Sequence, residues 1–168
     1  MNRAKYDALD VANYIVNYSI DSGNPVSNLK LQKLLYYVQA ASLVENDCAM
    51  FREDISAWKY GPVIEVVYHA FKWYVDKLIN DKVTEKDTFF DFDIIEHYDP
   101  DKMIDDEDKT LIQKIVASYK KYSPLDMVKK THGEAPWKNA YDGNEEYIRL
   151  DVIRRFYGGD NKRLIYGN

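Results

Sequence analysis

Four side chains stand out as able to bind a metal or act as a nucleophile: His69, His97, His132 and Cys48. Zinc sites are usually built from close pairs, such as Cys-x₂-Cys or two histidines one helical turn apart, because neighbouring ligands must converge on one ion. No two of these residues have that spacing. One cysteine cannot close an internal disulfide. Cys48 also lies close to Glu45 and Asp47, whose charges would oppose the thiolate that nucleophilic chemistry needs. The run Asp105-Asp106-Glu107-Asp108 is acidic enough for calcium but lacks the alternating ligands and central glycine of an EF-hand loop. It fits a helix N-terminus better, where the macrodipole favours acids. The seven glycines form neither G-x-x-x-x-G-K-[ST] nor G-x-G-x-x-G, so no phosphate cradle is expected. These readings predict no metal, no cofactor and no enzyme activity.

The elements that must position any site are mostly helices. Leu9, Ala12, Val16 and Ile20 share one face of a first helix that ends near Gly23-Asn24-Pro25. Ser27 or Asn28 caps a second, with Leu31, Leu34, Leu35, Val38 and Ser42 turned inward. Ile55 to Tyr60 has strand-like composition, and Gly61-Pro62 is expected to break it, with Pro62 in the first turn of the next helix. That helix buries Val63, Val66, Val67, Ala70, Phe71 and Tyr74. Phe90 to Ile94 alternates strictly and predicts a second strand, available to pair with the first. Leu111 to Tyr119 carries another helix, Ser123-Pro124-Leu125-Asp126 opens the next, and Gly133 stops it. Pro136-Trp137 starts a short helical turn, and Ile148, Val152 and Phe156 mark a last helix ended by Gly158-Gly159. The expected fold is mainly α: about six helices with a small two-stranded antiparallel β element.

With 168 residues, 46% apolar and 30% charged, the chain reads as one ordinary globular domain, 1–168. It has no candidate membrane span and no signal-peptide core, so a cytoplasmic location without membrane contact is expected. The formal charge is −5, which argues against a protein devoted to neutralising phosphate backbones. The 15 tyrosines suit contact surfaces, though A/T-rich coding bias produces the same excess.

Two segments keep nucleic acid open. Residues 24–44 read as a turn and a helix with Asn28, Lys30, Gln32 and Lys33 near its start, the pattern of a helix-turn-helix. The competing reading is a core helix with a solvated Lys/Gln face. Arg149, Arg154, Arg155, Lys162 and Arg163 form a basic cluster that could meet an acidic partner or complement a helix C-terminus.

Three segments carry a family resemblance: Leu29-Lys30-Leu31-Gln32-Lys33-Leu34-Leu35-Tyr36-Tyr37, then Asp54-Ile55-Ser56-Ala57-Trp58-Lys59-Tyr60-Gly61-Pro62-Val63, then Ser123-Pro124-Leu125 through Thr131-His132 to Pro136-Trp137. Together, over about residues 8–140, the chain resembles the Panacea antitoxin domain, the SocA-like group that includes phage-associated GepA proteins. Residues 145–168 form a C-terminal helix and tail beyond it. The Gly-Trp-His-like stretch common in that family is replaced here by Ala40-Ala41-Ser42, so no role of that Trp or His carries over.

The resemblance implies a non-catalytic antitoxin that neutralises a cognate protein toxin by direct contact, in some relatives as an adaptor to a protease. The alternative is a DNA-binding regulator that uses residues 24–44. An acidic chain would suit a basic toxin. By the resemblance, the partner-binding candidates are Lys33, Tyr36, Trp58, Lys59, Tyr60, His132 and Trp137. The other reading of Trp58 and Trp137 is a core pair packed together beneath the Gly61-Pro62 turn.

Overall fold

A helix that runs through the middle of a protein must satisfy every polar side chain it carries, and α2 (Asn28–Glu45) is such a helix. It touches α1 (Ala8–Asp21), α5 (Asp106–Ser118), α6 (Pro124–His132) and α8 (Leu150–Tyr157). The computed structural model describes residues 4–85 and 98–168. Ser27 caps α2 by accepting a hydrogen bond from the Lys30 amide. From Leu31 to Leu43 every residue is buried.

The Lys/Gln face of α2 is therefore not solvated, which corrects both expectations for residues 24–44. Lys30 donates to the Tyr122 carbonyl at 2.7 Å and Lys33 to that of Pro62 at 3.0 Å. Gln32 accepts from the Ile64 amide at 2.9 Å, and its own amide donates to Asn28 at 2.9 Å. Gln39 accepts from the Met50 amide at 2.7 Å and donates to the Phe51 carbonyl at 2.9 Å. Each side chain brackets a distant loop onto the helix. A recognition helix needs these groups free to reach base edges, and here they are internal.

Around α2, the first helix buries Ala8, Val11, Ala12, Ile15 and Val16, with Leu9 and Ile20 at the border of the stripe. α5 begins after Asp105 with Asp106, Glu107 and Asp108 in its first turn, as the dipole favours. Asp108 is buried, and accepts from Lys5 at 2.9 Å and from the Tyr6 hydroxyl at 2.7 Å. α6 opens on a reciprocal capping box between Ser123 and Asp126, with Pro124 in the first turn. α7 (Ala135–Asp142) follows directly, then α8 and a 3₁₀ segment, Gly159–Tyr166. The fold is mainly helical, with one small antiparallel sheet among the described residues.

That sheet differs from expectation. Gly61-Pro62 does not start a helix: β1 (Ser56–Trp58) pairs with β2 (Gly61–Val63) across the turn Lys59-Tyr60, with Ala57 opposite Pro62 and Trp58 opposite Gly61. Strand composition thus continues through the glycine, and α3 (Glu65–Phe71) begins only after Ile64. A 3₁₀ turn, Lys72–Tyr74, follows α3, and α4 (Pro100–Met103) precedes α5. The strand expected over Phe90 to Ile94 lies outside the described residues.

Candidate functional site

The β1–β2 hairpin is a short two-stranded element, which alone would be marginal in water. It is held from behind. Gly61 has φ +101°, a conformation that L side chains rarely adopt. A Cβ at Gly61 would lie 2.8 Å from both Lys33 Cε and Thr131 Oγ1. The missing side chain thus lets the hairpin sit directly on α2 and α6. The Lys33 ammonium reaches past it to the Pro62 carbonyl. From the side, the Ala57 amide donates to the Glu146 carbonyl at 3.0 Å, and the Ile148 amide to that of Ile55 at 2.8 Å.

α6 and α7 add an aromatic stack. The His132 ring lies 3.9 Å from that of Trp137, nearly parallel, and Trp137 stacks in turn on Tyr141 at 4.8 Å. The Trp137 indole N–H donates to the Trp58 carbonyl at 2.9 Å. The two tryptophans are therefore joined by a hydrogen bond to backbone and not by packed rings, a correction to the expected pair. The Trp58 ring instead meets Tyr68 edge-on at 5.1 Å. The His132 Nε2 is buried with no hydrogen-bond partner among the described residues. Burial, and then the charge of Lys33, lower its pKa, opposed by a hydrogen bond to the Lys59 backbone.

Lys33 is fully buried, and loss of hydration pushes its pKa down to about 7. Tyr36 is also fully buried, its hydroxyl 3.3 Å from that of Tyr157. Beside it, Glu134 collects hydrogen bonds from Tyr157 at 2.5 Å, Tyr37 at 2.8 Å and Lys130 at 2.6 Å. Burial first, with the Glu134 charge among the further causes, holds Tyr37 and Tyr157 well above the ordinary phenol range. Glu134 was not legible as a site residue in the sequence. It lies inside the Thr131–Trp137 motif, but nothing in its neighbours distinguishes it from a solvated glutamate.

Of the seven sequence candidates, Lys33, Tyr36 and Trp137 are buried, Trp58 and His132 are half-buried, and Lys59 and Tyr60 are exposed at the hairpin turn. The hairpin unites all of them except Tyr36, which belongs to the Glu134 cluster behind it. Sequence reasoning missed the apolar side chains beyond the hairpin: Tyr68, Trp73 and Val75, the last two 82% and 75% exposed. Between Tyr68, Val75 and the start of α2 lies a groove of about 550 Å³. No group of three His, Cys, Asp or Glu side chains among the described residues could hold a metal ion. No described helix is long and apolar enough to cross a membrane.

Comparison with known proteins adds identity to this geometry. The chain is similar to antitoxin SocA of Caulobacter vibrioides, with 31% identity over 132 residues, or 78% of this chain and 68% of that protein. No solved structure matches it. The family model described as antitoxin SocA-like, Panacea domain, matches residues 31–138, from α2 through the hairpin to α7. On that match, which covers well over half its length, the chain belongs to the SocA-like Panacea-domain antitoxin family.

Proposed function

We propose that the chain is a non-catalytic antitoxin that neutralises a cognate protein toxin in the cytoplasm by direct contact. The observation that carries this reading is the family match over 31–138. That span takes in both the buried frame, Lys33 and Trp137, and the hairpin turn it presents, Lys59 and Tyr60. In this reading Lys59 and Tyr60 touch the toxin, with Trp58 and His132 at the margin. Lys33, Tyr36 and Trp137 act from behind, fixing the shape of the surface. Interface energy concentrates in aromatic anchors with complementary charge around them, and a pinned hairpin offers both at a reduced backbone ordering cost on binding.

The test is co-expression with the product of the adjacent reading frame. That product alone should arrest growth, and co-expression should relieve the arrest and yield a complex that co-purifies. A harmless neighbour that never co-purifies would overturn the proposal.

A further inference from the structure

Most of the large apolar side chains exposed among the described residues fall in one stretch: Tyr60, Val66, Tyr68, Trp73, Val75 and Leu78. Three of them, Tyr60, Tyr68 and Val75, line one groove, and exposed apolar surface gathered in this way marks a contact site more often than it marks accident. The stretch borders the groove of about 550 Å³, whose walls include Leu29, Trp58, Tyr68 and Val75. Val75 has φ +55° and ψ −110°, a costly conformation for a β-branched residue, and its side chain is 75% exposed.

The charge at this groove reverses that of the chain. The sequence carries 28 carboxylates against 23 Lys and Arg, yet the groove is lined by two lysines, Lys59 and Lys72, and by no carboxylate. Neither lysine has an ion-pair partner among the described residues. Their ammonium groups lie over the rings of Tyr60 and Trp73, at 5.5 and 5.0 Å from the centroids. The nearby carboxylate of Glu65 accepts from the Ser56 hydroxyl at 2.6 Å.

We propose that this groove docks a short segment of the partner protein that carries an apolar anchor flanked by acidic residues. The anchor enters between Leu29, Trp58 and Tyr68, and its carboxylates meet Lys59 and Lys72. The inference rests on the antitoxin reading for the identity of the partner. It replaces the expectation of a basic toxin surface with a local acidic one, because the contacting face, not net charge, sets complementarity.

The test uses two short fluorescein-labelled peptides with the same Leu-Phe-Leu centre, one flanked by glutamates and one by lysines, read by anisotropy against the full chain. The acidic peptide should bind at least about tenfold more tightly, and the Lys59→Glu/Lys72→Glu variant should reverse that preference. Tyr68→Ala should weaken the acidic peptide while lowering the melting temperature by no more than about 5 °C, the loss of one aromatic pair. Equal binding of both peptides, or a preference that survives charge reversal, overturns the inference.

A second arm measures the purified neighbouring gene product. Lys59→Glu/Lys72→Glu should lose at least about tenfold in affinity, whereas Lys120→Glu/Lys121→Glu, exposed and outside the groove lining, should not. If the groove variant binds that protein as tightly as wild type, the groove assignment falls while the antitoxin reading stands. If wild type does not bind it at all, the antitoxin reading falls and the peptide arm decides the groove alone. A dimer of the chain that disappears in Lys59→Glu/Lys72→Glu would assign the groove to a second copy and also overturn the inference.

Discussion

Behind the hairpin, polar side chains are buried and bonded; in front of it, apolar side chains are exposed. Lys33, Gln32, Gln39 and Glu134 sit in the interior, each tied to a named loop or hydroxyl. Tyr60, Trp73 and Val75 stand in solvent. The usual inside–outside preference is inverted at both places. The contrast separates two tasks. The interior polar groups fix one geometry, because an unpaired buried group costs about 1–3 kcal/mol and so penalises every alternative arrangement. The exterior apolar groups are exposed, and in the proposed function they are the ones a partner covers.

Substitutions can break this contrast, and the largest effect belongs to the frame. Gly61→Ala puts a Cβ against Lys33 and Thr131 in a backbone conformation hostile to L residues. It should cost about 3–4 kcal/mol, lowering the melting temperature by roughly 10 °C. Next, Glu134→Gln removes the charge that Lys130, Tyr37 and Tyr157 converge on. Urea unfolding should show a loss of about 2–4 kcal/mol, since half of a buried ion pair is left behind.

The third effect is a pH dependence. Lys33 releases its proton at about 7 when folded, against 10.5 as its ordinary value. Between those values the unfolded chain binds more protons, so this group raises stability as pH rises from about 7 to 10. Relative to Lys33→Met, wild-type stability should climb by up to about 1.4 kcal/mol per pH unit in that window, measured by urea melts at pH 7 to 9.5. A flat difference would show that the Lys33 ammonium is stabilised where it lies. The smallest effect on folding belongs to the front. Trp73→Ser should change stability by no more than about 0.5 kcal/mol in the same melts. Its effect on toxin neutralisation in a growth assay should be the larger one.

The sequence made the frame of helices legible, because their signals are local. The capping box at Ser123, the acidic first turn of α5 and the stop at Gly158-Gly159 are each set by a few adjacent residues. What could not be read depended on partners far along the chain. Lys33 looks like a surface lysine until Gly61, 28 residues on, lets the hairpin lie over it. Pro62 has the φ of a helix start, but pairing with Ala57 claims it for a strand. The indole of Trp137 reaches the Trp58 carbonyl and not its ring, a choice that depends on where α7 lands. The exposed Tyr68 and Trp73 sit at helix-compatible positions, and no periodicity shows that the face they occupy is left uncovered.

In the proposed function this chain works by holding a protein partner against the face of its hairpin. Titrating the purified product of the adjacent reading frame into the full chain, in a calorimeter at physiological salt, tests it most directly. A saturable complex should form with wild type and with Lys120→Glu/Lys121→Glu, and be weakened at least about tenfold by Lys59→Glu/Lys72→Glu. A neighbour product that arrests growth, is relieved by this chain in the cell, and yet shows no heat and no complex in the titration would contradict it.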